Sequence, residues 1–160
     1  MAEFKLEAIK CKNCASGLMV EINDFVTYCT NCGSGFEIVD GALQPIEVNF
    51  ANAAIRDEGE MIYKPFWILK THVTILERTS SGGFFKNLFG GNDGTGGDIK
   101  FYIPSFFAPV DKLKELAYTF TQKNPVASPQ KYNVKLTGYA FGREDAEKIA
   151  EFILISFEAE

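Results

Sequence analysis

Four cysteines within 22 residues, Cys11, Cys14, Cys29 and Cys32, constrain what this 160-residue chain can fold into more than any other feature. They form two C-x2-C pairs separated by fourteen residues. Each pair can make a tight turn whose amides point at thiolate sulfur, and a hairpin between the pairs brings four thiolates to the corners of a tetrahedron, the geometry zinc takes up. In a reducing compartment disulfides do not persist, so cysteines packed this densely read as metal ligands rather than crosslinks. Glycine follows the second pair at Gly33, with another at Gly35, and permits a close backbone approach. After the first pair, Ala15 and Ser16 displace the glycine to Gly17, which makes the first knuckle the less ideal one.

The ligand chemistry narrows the metal's role. All four positions are thiolate-forming, and no His, Asp or Glu leaves an open coordination position for water, so the expected cofactor is structural Zn2+ rather than a hydrolytic centre. Iron in the same cage would make a one-electron carrier. The pattern is similar to rubredoxins in its paired knuckles with glycine after the second. It departs from them in the shorter segment between the pairs and in lacking their aromatic pattern, so iron is the lesser expectation.

Along the chain, Leu18 to Glu21 alternates toward a strand, Asn23-Asp24 signals a turn, and Phe25 to Tyr28 returns as a strand into the second pair. Phe36 to Val39, Asp40-Gly41 and Ala42-Leu43 read as a further hairpin. These pieces predict a zinc ribbon over residues 1–48, followed by a connector over 49–62. Residues 63–160 are expected to form an α+β domain of order β-β-α-β-α, a small antiparallel sheet with two helices. Its strands are FWILKTHVTILER from Phe66 to Arg78, Ile99 to Ile103, and Tyr132 to Thr137. The first helix starts around Pro109 to Asp111, carries Leu113, Leu116, Ala117 and Phe120 at helical spacing, and stops before Asn124-Pro125. The second follows Gly142, has Glu144 and Asp145 in its first turn, and carries Ala146, Ile149, Ala150, Ile153 and Phe157 along one stripe. No internal repeat spans the two domains.

Residues 80–98 form a loop in which seven of nineteen residues are glycine. Its GGNDGTGGD stretch is too short and imperfect a copy for a calcium-binding repeat, and it lacks the Lys-Ser/Thr ending of a phosphate loop. Within it, Phe84, Phe85, Leu88 and Phe89 would share one face of a short helix, a candidate partner-binding surface. The alternative is that they fold onto the domain's own core.

Charge weighs against nucleic acid. Residues 1–50 hold three Lys against seven Asp or Glu, a net −4, and the remainder holds thirteen basic and fourteen acidic residues, a net −1. Neither half is a basic platform for phosphates. The aromatic residues alternate mainly with core aliphatics rather than lining a basic groove. His72, the single histidine, lies within a strand, where a general base would need a partner that the sequence does not identify. Asp57-Glu58 and Glu144-Asp145 read as a solvated connector and a helix N-terminus. The N-terminus builds no secretory signal and no apolar run approaches a bilayer span, so a cytoplasmic protein is expected.

The four-cysteine ribbon together with YKPFW at Tyr63 to Trp67, FYIPSF at Phe101 to Phe106 and REDAEKIAEFILISFEA toward the C-terminus resembles a family of uncharacterised bacterial zinc-ribbon proteins. The likeness covers most of the chain, and what it implies is architecture rather than an activity. The functional expectation is a non-catalytic zinc-binding protein that engages a protein partner or itself. The alternatives are a nucleic-acid-binding ribbon and a rubredoxin-like iron electron carrier.

Overall fold

Asp40 and Gly41 both adopt left-handed backbone, with φ of 50° and 77°. That is the requirement of the tight turn whose twist matches two antiparallel strands. The turn joins β2 (Gly35–Val39) to β3 (Ala42–Ile46), and β1 (Val26–Tyr28) adds to the other edge of β2 to give a three-stranded antiparallel sheet of order β1-β2-β3. The computed structural model describes residues 8–51, 58–74, 96–129, 135–136 and 138–158. The glycine-rich stretch 80–95, with Phe84, Phe85, Leu88 and Phe89, lies outside them, as does Asp57.

The chain divides into two units, Met1–Tyr63 with Val126–Gly142, and Lys64–Pro125 with Arg143–Glu160. In the first unit the expected strand at Leu18 to Glu21 is absent. Lys10 and Gly17 share a single bridge, and β1 pairs with β2, Val26 opposite Glu37 and Tyr28 opposite Gly35. The reason is local: Asp24 accepts the Glu21 N–H at 2.7 Å and donates its own N–H to the Glu21 carbonyl at 3.1 Å, so the backbone that a hairpin ladder would use closes a turn instead. Two short pairs complete this unit. β4 (Phe50–Ala51) runs antiparallel to β8 (Ala127–Ser128), and β5 (Ile62–Tyr63) runs parallel to β9 (Lys135–Leu136). Phe50 stacks edge-on to Tyr28 at 5.5 Å and to Tyr63 at 5.3 Å between ring centroids, linking the ribbon sheet to β5.

In the second unit β6 (Phe66–Thr74) and β7 (Gly96–Pro104) form one antiparallel ribbon, β7 beginning three residues earlier than expected. The helices fall where punctuation placed them, α1 at Val110–Lys123 and α2 at Arg143–Glu158. Asn124 ends α1 in left-handed backbone, its N–H returning to the Phe120 carbonyl at 2.8 Å. The expected third strand does not join this sheet. Of Tyr132 to Thr137, Lys135–Leu136 pairs with β5 in the first unit and the rest lies outside the described residues, so the described order here is β-β-α-α. Helix α1 stands where a third strand would pair: the buried Thr121 hydroxyl accepts the Tyr102 N–H at 3.1 Å and shields that edge of β7. Phe66 meets Phe120 at 4.9 Å and Phe106 at 5.9 Å between centroids, while α2 contributes Ala146, Ala150 and Ile153 to the core. Among the described residues, no helix is long and apolar enough to cross a membrane.

Candidate metal centre

Both cysteine pairs fold into the same turn. Cys11 N–H donates to the Ser16 carbonyl and Cys29 N–H to the Ser34 carbonyl, each at 2.8 Å. The returning bonds run from Ala15 N–H to the Cys11 carbonyl at 2.9 Å and from Gly33 N–H to the Cys29 carbonyl at 2.8 Å. Closing either turn puts the residue after the second cysteine in left-handed backbone, with φ of 62° at Ala15 and 82° at Gly33. Gly33 does so freely, whereas the Ala15 Cβ opposes it at about 1–2 kcal/mol. Ala15→Gly should therefore tighten metal retention. After allowing for glycine's greater unfolded-state freedom, the gain is about 0.5–1 kcal/mol, roughly two- to fivefold in a chelator competition. Gly33→Ala should move retention the other way. Gly35 serves another purpose than the turn: a Cβ there would collide with the Val48 side chain.

The turns bring all four Sγ atoms within 4.8 Å of one another. Cys11 and Cys32 approach to 3.6 Å, as do Cys14 and Cys29, so each close pair joins the first cysteine of one knuckle to the second of the other. These distances are far beyond a disulfide bond of about 2.05 Å. They match the edge of about 3.8 Å that a regular tetrahedron of sulfurs has when each lies about 2.3 Å from a central zinc. The donor set and the cage thus fit a tetrahedral thiophilic metal, held by Cys11, Cys14, Cys29 and Cys32.

The four thiols are not equivalent. Cys11 and Cys29 are buried, and Cys14 and Cys32 half-buried. Burial pushes the Cys11 thiol up to about 11. Hydrogen bonds from the Asn31 and Ser16 side chains and the Ser16 backbone lower Cys14 to about 7, and the corresponding bonds from Ser34 and Asn13 lower Cys32 to about 5. Two of the four thiols are thus predisposed to ionise by the protein itself, while Cys11 would need the charge of a bound cation to do so. The thiolates also hold the neighbouring Tyr28 phenol above its usual range, after the larger effect of its own burial.

Of the other candidate residues, His72 finds a partner across the β6–β7 register: its Nδ1 lies 2.8 Å from Asp98 Oδ1, with both side chains exposed. The pair therefore stands on an open strand surface. Glu144 sits in the first turn of α2, where the Lys148 ammonium at 2.9 Å lowers its carboxyl. Sequence reasoning missed Asn13, Asn31, Ser16 and Ser34, although the signal was present. CKNCASG and CTNCGSG are one seven-residue motif written twice, 18 positions apart. Comparison with protein-family models, with curated proteins and with solved structures finds no match to the chain.

Proposed function

We propose that the protein is a non-catalytic, cytoplasmic zinc-binding module in which a rubredoxin-like ribbon, folded around structural Zn2+, offers its surface to a protein partner. The observation that carries the metal reading is the cage of four convergent thiolates, the number that fills a tetrahedral site, with no other potential ligand grouped with them among the described residues. The interaction reading is supported by the segment between the knuckles. There Met19 and Ile22 are 95% and 99% exposed, beside Glu21 and Asp24. Large apolar side chains held in water on a hydrogen-bonded turn, as Ile22 is, and just before it, as Met19 is, favour burial against another protein, and the acidic neighbours repel phosphate. Phe84, Phe85, Leu88 and Phe89 belong to the same proposal as a second contact.

Two measurements test it. Metal analysis should find one zinc per chain in a colourless protein, whereas a red, visibly absorbing protein would replace zinc with iron and the module with an electron carrier. Affinity recovery from the native host should then yield a partner with the intact chain that is lost with Met19→Ser/Ile22→Ser or with residues 84–89 deleted. Recovery of identical proteins by all three, together with salt-sensitive binding to DNA or RNA, would overturn the protein-partner reading in favour of nucleic acid.

A further inference from the structure

We propose that Asn13 and Asn31 form a reciprocal clasp on the metal centre, each amide donating to the second thiolate of the opposite knuckle and so setting how firmly the ion is retained. The knuckle motifs agree at five of seven positions, and asparagine occupies the third position of both. Turn geometry does not account for it. Asparagine suits turns because its side chain can bond the backbone two residues on and because it tolerates positive φ, yet in these knuckles the N–H two residues on, of Ala15 and of Gly33, goes to the Cys11 and Cys29 carbonyls, and neither Asn13 nor Asn31 has positive φ. The Asn13 backbone N–H lies 3.4 Å from Cys11 Sγ, a contact any non-proline residue could make.

What asparagine adds is its side chain, and on both knuckles it reaches across. Asn31 Nδ2 lies 3.5 Å from Cys14 Sγ, and at the matching position of the other knuckle the Asn13 side chain is close enough to lower the Cys32 thiol. The serines act differently, since Ser34 Oγ lies 3.1 Å from Cys32 Sγ two residues away and Ser16 likewise serves Cys14 within its own knuckle. Apart from the cysteines themselves, the asparagines are therefore the side chains of the motif that reach between knuckles. Four thiolates around a divalent ion carry a net charge of −2. An ionised sulfur only accepts hydrogen bonds, so each amide N–H withdraws part of that charge and resists separation of the two pairs. Donors outside the ligand set typically change metal affinity by about 10–100-fold.

This inference rests on the four-thiolate reading, and the wild-type protein checks that reading first: loaded with Co2+, the full chain must show the intense spectrum of tetrahedral cobalt-thiolate. Failure there removes the metal site itself, independently of the clasp. Asn13→Ala and Asn31→Ala should each speed zinc transfer to a chromogenic chelator by about 10–100-fold. Asn13→Asp and Asn31→Asp, which keep the shape but replace a donor by a negative charge, should be faster still. The sulfur-to-cobalt charge-transfer band should move to lower energy in each, because a thiolate that loses a donor gives up its electron more readily. Thr30→Ala, at a position the two motifs do not share, should match wild type in both readouts. Faster metal loss with an unshifted band would assign the asparagines to turn stability alone and overturn the clasp, as would wild-type retention in the Asp variants.

Discussion

Stripping the metal with a strong chelator should unfold the β1-β2-β3 ribbon and leave the helical unit standing. The ribbon's buried cluster is Cys11, Cys29 and Phe36, with Cys14, Leu18, Cys32 and Leu43 packed against it, so four of its seven members are the ligands themselves. Without the ion, four thiols surround the place of a cation and three apolar side chains remain. A segment of about 40 residues with so small a core lies below the size that folds unaided. Structural zinc contributes on the order of 10–16 kcal/mol of apparent binding free energy at neutral pH, more than the remaining packing can replace. The second unit draws its core from Trp67, Ile99, Phe101, Tyr102, Ile103, Phe106, Ala117, Ala146, Ala150 and Ile153, none of them a ligand. Hydrogen exchange reads the difference directly. Amides of β1, β2 and β3 should lose protection on chelation and regain it on adding zinc, while those of β6, β7 and α1 keep theirs. The far-UV helical signal should barely change, because α1 and α2 both belong to the second unit. Cys29→Ser should act in the same direction. Ribbon amides that stay protected in protein shown by metal analysis to be metal-free would mean that the ion is not structural.

The parts of this molecule that were legible in its sequence are those decided by neighbours along the chain. The C-x2-C turns, the Asp40-Gly41 hairpin and the helix ends at Asn124-Pro125 and Gly142 each depend on a handful of consecutive residues whose backbone preferences agree. Pairing choices were less legible, because alternation shows that a stretch can be a strand without saying which strand it joins. Leu18 to Glu21 alternates well but gives its backbone to a turn, and Lys135–Leu136 pairs with β5 rather than with β7, whose Tyr102 N–H goes to Thr121 of α1. The His72–Asp98 pair appears only once the register is known, since 25 residues separate the two in sequence. The repeated asparagine and serine of the knuckles were visible as letters. The reach of Asn31 to Cys14 was not, because it depends on the two turns facing each other.

Phe101→Ala should destabilise the second unit by about 3–5 kcal/mol, the largest effect expected from a single substitution away from the cysteines. Phe101 is 0% exposed on β7, opposite Leu69, with the buried Ile99 and Ile103 on the same face of the strand. The inner side of a paired strand cannot collapse without breaking its ladder, so the loss of the ring leaves a cavity on top of the lost transfer energy. Against a total stability of about 5–15 kcal/mol, this brings the unit near its unfolding threshold. For a unit of this size the melting temperature should fall on the order of 20 °C. In urea the midpoint should drop with little change in slope, because the surface exposed on unfolding is nearly the same. Phe107→Ala supplies the contrast, since that ring is 94% exposed and its removal should leave the melt almost unmoved. The boundary between these two phenylalanines is also the end of a buried run. All six residues of FYIPSF, Phe101 to Phe106, are buried, and the Ser105 N–H donates to the Pro65 carbonyl within YKPFW at 3.0 Å. Pro65 and Trp67 are buried as well, so the two stretches meet in the packed interior of the second unit. A Phe101→Ala protein that melts like wild type would mean that this stretch does not hold the unit together.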